Sequence, residues 1–175
     1  MNKVSLRAVL IGLISFVAIG SLVSVNEGKH QSNTPQVSSS PCVDIGVTLI
    51  IKKNGSQDQV LIRCVKDFEG TGWNIFRAAN LNVQGTAEYP ESFVCRIADF
   101  PSEDSEACLA TPSFTKGTWV YFNATAEKAE WMRSGQGAAS RKPGCGDYEG
   151  WRYITSAAQS NTAPRIEARP FKCQK

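Results

Sequence analysis

Few residues in this chain could do chemistry. His30 is the lone histidine among 175 residues, and it lies in a polar stretch near the N-terminus. With no other imidazole, Ser-His-Asp and Cys-His nucleophilic arrangements have no base. A downstream zinc site would likewise have no histidine to draw on. The remaining acid–base candidates are Asp147 and Glu149, two carboxylates two positions apart ahead of Trp151. They sit among Gly144, Gly146 and Gly150, a composition that reads as a solvated turn before it reads as a catalytic pair. Asp99, Glu103, Asp104 and Glu106 make an acidic loop, but they lack the regular oxygen-ligand spacing of a calcium loop. Asn54-Gly-Ser56 and Asn123-Ala-Thr125 match the glycosylation sequon, although a turn and a buried strand explain them without sugar. No Gly-rich phosphate loop follows a strand and opens a helix. The residue types thus predict no catalytic residues, no cofactor and no metal.

The cysteines carry a firmer signal. Cys42, Cys64, Cys95, Cys108, Cys145 and Cys173 all come after an N-terminal segment with the marks of an export signal. Lys3 and Arg7 precede an apolar run over residues 8–25, the arrangement of a signal peptide. That run also approaches the roughly 17–25 apolar residues of a membrane span. Residues 1–25 therefore read as a cleaved signal or a retained anchor that tethers the domain to a membrane. An even cysteine count in an exported chain implies disulfides, with about fifteen connectivities for six cysteines. Cys95–Cys108 is the expected short bridge between two strands, a closure that contributes about 3 kcal/mol. The simplest chain-order pairing of the rest is Cys42–Cys64 and Cys145–Cys173.

Residues 26–41 are too polar to bury a core and read as a disordered linker. The remainder of the chain, roughly 135 residues, is the size of one domain. Its boundaries are expected at 42–155, with a polar C-terminal tail over 156–175 tied back by Cys173. Removing Lys3 and Arg7 from 19 basic residues leaves 17 against 16 acidic ones, a net charge of +1. Such a balance, without a Lys/Arg block, offers no electrostatic basis for nucleic-acid binding.

Positioning falls to short strands. Val43, Ile45, Val47, Leu49 and Ile51 alternate with mostly polar or small residues, the period of a half-buried strand. Asn54-Gly55 is the strongest short hairpin signal, and a turn centred there sets Leu49 opposite Val60, Val47 opposite Ile62 and Ile45 opposite Cys64. Cys42 would then face Asp67, so its bridge to Cys64 needs a bulge or a bent strand start. Thr71 can cap a short helix through Ala79 that buries Trp73 and Phe76. Further strands are expected at 93–97, 118–125, 130–134 and 150–154. The sum is an α+β domain: a small, mostly antiparallel sheet with one short helix, stapled by disulfides.

On the 118–125 strand Trp119 and Tyr121 share one face while Val120 and Phe122 share the other, so both faces should be covered. Trp151 and Tyr153 share a face in the same way. Were the two strands neighbours, these four rings would form a cross-strand ladder. Together with Trp131 they have two readings: core packing, or a ligand-binding platform for a planar molecule, glycan or protein.

Phe93–Ile97, Cys108, Thr118–Phe122, Trp131–Ser134, Gly137-Ala138, Pro143-Gly144 and Gly150–Tyr153 succeed one another in an order that resembles a known family. It is that of small exported proteins of actinobacterial type related to the transcobalamin C-terminal-like domain. The resemblance spans roughly residues 43–155. It implies a small β-rich module, which in cobalamin carriers covers one side of a corrinoid. Thr118, Phe122 and Asn123-Ala124 depart from the family's Tyr, Trp and Asn-Gly. The helical barrel forming the other half of a carrier is missing, so corrinoid binding does not transfer by default. The expectation is an exported, non-enzymatic binding module of the cell envelope, secreted or membrane-anchored. It would recognise a small corrinoid-like ligand, contact an envelope protein as an interaction or inhibitor module, or serve a structural role.

Overall fold

Residues 118–125 and 148–154 carry bulky side chains at every other position, and they become the two long inner strands. The computed structural model describes residues 36–54 and 60–173. In chain order the elements are β1 (Val37–Ser38), β2 (Val47–Lys52), β3 (Val60–Val65), α1 (Asn74–Ala78), β4 (Val83–Gly85), β5 (Val94–Ile97), β6 (Thr118–Thr125), β7 (Lys128–Arg133) and β8 (Tyr148–Ile154), and then a 3-10 turn at Ala157–Gln159. Among the described residues the fold is mostly β. One sheet has the order β1-β3-β2-β8-β6-β7, and β4 and β5 pair separately. The helix has only five residues.

The sheet is mixed, where a mostly antiparallel one was expected. β2 and β8 run parallel at its centre, Thr48 beside Tyr148 through Lys52 beside Arg152. Parallel strands need both faces covered, and here both are. The first face carries Val47, Leu49, Ile51, Val65, Trp119, Tyr121, Trp151 and Tyr153 against Ile75 and Phe76 of α1 and against Val94 and Ile97 of β5. The second carries Ile50, Ala124 and Tyr148 beneath Ile166 and Ala168, and Val120, Phe122 and Ile154 beside Ala163. The segment expected to be a polar tail is therefore the second layer of the fold. Trp131 Nε1 donates to the Ile166 carbonyl at 2.7 Å, and Cys145–Cys173 fastens the end of the segment.

The first hairpin departs from its expected register. Val47 faces Val65, Leu49 faces Arg63 and Lys52 faces Val60, a register offset by three residues from one centred on Asn54-Gly55; Gly55 itself lies outside the described residues. A shift by an odd number of residues exchanges the faces of β3. Because β2 is buried on both sides, its alternation did not reveal which register to choose. Val43 and Ile45, expected in the strand, lie outside it, and Val43 is 82 % exposed. The chain doubles back there through Gly46 at φ +103°, where a Cβ would sit 2.6 Å from the Val65 carbonyl oxygen. This return puts the Cys42 N–H on Thr48 Oγ1 at 2.9 Å, and Thr48 is the partner of Cys64. The bent strand start is thus what lets Cys42 bridge Cys64.

Val37 and Ser38, expected in the linker, add a short edge strand opposite Val65 and Cys64. The signal or anchor over residues 1–25, and most of the linker, lie outside the described residues. No helix among the described residues is long and apolar enough to cross a membrane.

Candidate functional site

β6 and β8 pair with Trp119 opposite Tyr153, Tyr121 opposite Trp151 and Asn123 opposite Glu149. The four rings make the cross-strand ladder: Tyr121 stacks on Trp151 at 4.5 Å, and Trp119 meets Tyr153 edge-on at 5.3 Å. All four are between 4 and 8 % exposed. Phe76 of α1 closes over Trp151, and Phe100 closes over Trp119 and Tyr153. Trp131 lies on the other face against Tyr148. The five residues considered as a ligand platform therefore do not converge on one open surface. Four are core, and the fifth holds the covering segment.

Next to the ladder lies a polar cluster. β8 begins at Tyr148, two residues earlier than expected, and this carries Glu149 into the middle of the sheet at 0 % exposure. The solvated-turn reading of Asp147 and Glu149 is overturned. Tyr121 donates its hydroxyl hydrogen to Glu149 Oε2, and Arg141 Nε donates to Glu149 Oε1 at 2.8 Å. A second guanidinium nitrogen of Arg141 reaches Asp147 Oδ2 at 2.9 Å, and the Gly144 N–H donates to the same oxygen. The Arg141 carbonyl accepts from Gly72 N, so the cluster also holds the approach to α1. Gly72 is required at that point, because a Cβ would come within 2.5 Å of the Tyr121 hydroxyl.

Burial governs the charges of this cluster. It pushes Glu149 up to about 7 although Arg141 and the Tyr121 hydroxyl pull the other way. Burial, and then the Glu149 charge, push the Tyr121 hydroxyl well above its usual value. Asp147 is likewise raised by burial, with the Gly144 N–H and Arg141 opposing. For Arg141 burial disfavours the charge, but the attraction of Glu149 outweighs it and the guanidinium is held above its ordinary value. A general acid or base must come within hydrogen-bond reach of its substrate. Glu149 has no exposed surface and both of its oxygens are occupied, so the cluster joins elements of the fold.

The third constellation is the loop after β5. Arg96 is buried inside it and makes four contacts: Nε to the Pro101 carbonyl at 2.7 Å, one terminal nitrogen to Gln84 Oε1 and Glu103 Oε1, the other to the Glu106 carbonyl. Cys95–Cys108 closes the loop, and Glu106 Oε1 accepts from Cys108 N at 3.0 Å. Leu109, immediately beyond the bridge, is 70 % exposed, and Phe114 is also exposed. In the sequence Arg96 falls within the run Phe93–Ile97. A lone arginine flanked by apolar strand residues beside a cysteine was the signal available. Among the described residues no group of three or more His, Cys, Asp or Glu side chains could hold a metal ion.

Neither family models, nor curated proteins, nor solved structures give a match to this chain.

Proposed function

We propose that this chain is an exported, non-enzymatic binding module of the cell envelope, a small α+β domain related to the transcobalamin C-terminal-like family, that docks on a protein partner through its disulfide-bounded loop over 98–112. The observation carrying this reading is Arg96, whose buried guanidinium ties the loop's carbonyls together from within. A loop already ordered in the free protein loses little entropy on docking, so more of the contact energy appears as affinity. Leu109, at the edge of that loop, is an apolar anchor that gains by leaving water. The three disulfides suit an oxidising compartment outside the cytoplasm. Within that compartment the chain would be either secreted or held at the membrane by residues 8–25. The alternative, recognition of a corrinoid-like small ligand, asks for an open aromatic face and is supported by the resemblance alone.

A photoreactive residue at position 109, compared with one at Met132 on exposed β7, tests the reading in intact cells. The expected result is an adduct with one envelope protein from position 109, absent from 132 and lost when Arg96→Ala loosens the loop. Equal labelling from both positions, or none from 109, would reject it. Quenching of tryptophan fluorescence by micromolar cobalamin would favour the corrinoid alternative instead.

A further inference from the structure

The parallel register of β2 and β8 sets Lys52 beside Arg152 on the face covered by the C-terminal segment. Neighbouring strands lie only about 4.8 Å apart, and like charges placed directly opposite destabilise a sheet. Another cation reaches the same place. Arg165 arrives from the covering segment, and with Lys53, Gln159 and Ile166 these residues line a cleft of about 430 Å³. None of the described residues lining it is a carboxylate. Lys52 is engaged within the fold, and the Lys53 ammonium donates to the Ala98 carbonyl at 3.2 Å beside the Phe100 ring, so the positive character available to a ligand comes from Arg152 and Arg165.

The two arginines are the telling pair. Arg152 donates to the Thr162 and Ala163 carbonyls at 3.1 Å each, which fixes its guanidinium against the covering segment. Arg165 is exposed. Among the described residues the arginines paired with carboxylates are Arg96, Arg141 and Arg169, and neither Arg152 nor Arg165 is among them. Burial, and then the charge of Arg165, hold Arg152 below its ordinary value, so each guanidinium feels the other. A cleft lined by one sign of charge focuses its field on a counter-ion. Guanidinium forks match the oxygens of a phosphate group in both geometry and charge.

We propose that this cleft binds the phosphate group of a small phosphorylated molecule, with Arg152 and Arg165 as its ligands. The cleft falls within the size range of small-molecule sites, and the apolar side chain of Ile166 gives an organic moiety a wall to pack on. Soluble phosphorylated compounds and lipid headgroups carry the same chemistry. The site uses neither Leu109 nor the interior of the 98–112 loop, so it stands whether or not that loop docks on a protein.

The test uses the purified full chain, wild type and with Arg165→Gln or Arg165→Glu. Each is titrated calorimetrically with inorganic phosphate and with pyrophosphate. Each is also floated with vesicles of phosphatidylglycerol or of phosphatidylcholine. The expected result is binding that weakens about tenfold or more in Arg165→Gln, the loss of one charge-assisted contact, and vanishes in Arg165→Glu. Arg165 is exposed and its side chain makes no hydrogen bond among the described residues, so neither change should lower the Tm. The glutamate, set beside Arg152, should raise it. Dependence on Arg165 with pyrophosphate assigns a soluble ligand, and dependence only in phosphatidylglycerol flotation assigns a headgroup. Binding by the wild type to none of these probes, or binding that Arg165→Gln leaves unchanged on all of them, overturns the proposal.

Discussion

Glu149 is a carboxylate shut away from water in a central strand, and its protonation should show in the stability of the whole chain. An unfolded glutamate titrates near 4.3, whereas burial lifts this one to about 7. A raised acid pKa means the folded state holds a proton that the unfolded chain has released. The resulting stabilisation is complete below the unfolded value and is lost as the pH rises through about 7. Between those limits the group should remove up to about 4 kcal/mol, and Asp147, also raised by burial, acts in the same direction. Urea midpoints should therefore be higher at pH 5 than at pH 7.5, and Glu149→Gln should flatten the difference. A wild-type midpoint that climbs with pH over this window would contradict the assignment. The pair Asp147 and Glu149 was visible in the sequence; its setting was not. Starting β8 at 150 left both acids in the preceding turn, and nothing local joins Arg141, across Pro143-Gly144, to a tyrosine on β6.

At the level of elements, the loop after β5 is organised by one side chain that spacing could not single out. Cys95 and Cys108 were paired from their separation, since a short loop between strands is readily closed. Arg96 reads in sequence as one polar residue in an apolar strand. Only the return of the chain past Pro101 and Glu106 gives it carbonyls to hold. Arg96→Ala would leave those buried acceptors without donors, at a cost of about 2–4 kcal/mol. Amide hydrogen exchange over 98–112 should quicken by more than the global loss explains. Arg96→Lys should recover little, because one ammonium cannot replace a planar fork serving several acceptors. Unchanged exchange in the alanine variant would mean that Cys95–Cys108 alone orders the loop. The β2–β3 register shows the opposite balance between local and distant forces. Asn54-Gly55 is a strong local signal, yet it yields to a pairing that suits a strand buried on both faces and a bridge from Cys42.

For the whole molecule, the decisive fact is that the sheet needs a second layer and finds it in residues read as a tail. Ala163, Ile166 and Ala168 are spread among charged and proline residues over 163–170, with neither a helical nor a strand period to reveal a buried side. Their partners advertised the need: Val120 and Phe122 on β6 called for cover opposite the aromatic ladder. Gly150 leaves the room, since a Cβ there would strike Trp131 at 2.6 Å and Pro164 at 3.1 Å. A chain ending at residue 155 would expose Ile50, Val120, Phe122 and Ile154, each now almost wholly buried. Large apolar side chains of this kind are worth about 1.5–3 kcal/mol apiece, and a domain's net stability is only about 5–15 kcal/mol. The truncated chain should therefore lack a cooperative thermal transition and bind a hydrophobic dye. Opening only the tether, by changing Cys145 and Cys173 to serine, should cost about 3 kcal/mol and keep the fold, because Trp131 and Arg152 still grip the segment. Limited proteolysis separates the two outcomes: cleavage confined to 156–173 in the serine variant, and throughout the chain in the truncation. A truncated chain that melts cooperatively near the wild-type temperature would show that the segment is an accessory and that residues 42–155 suffice as a domain.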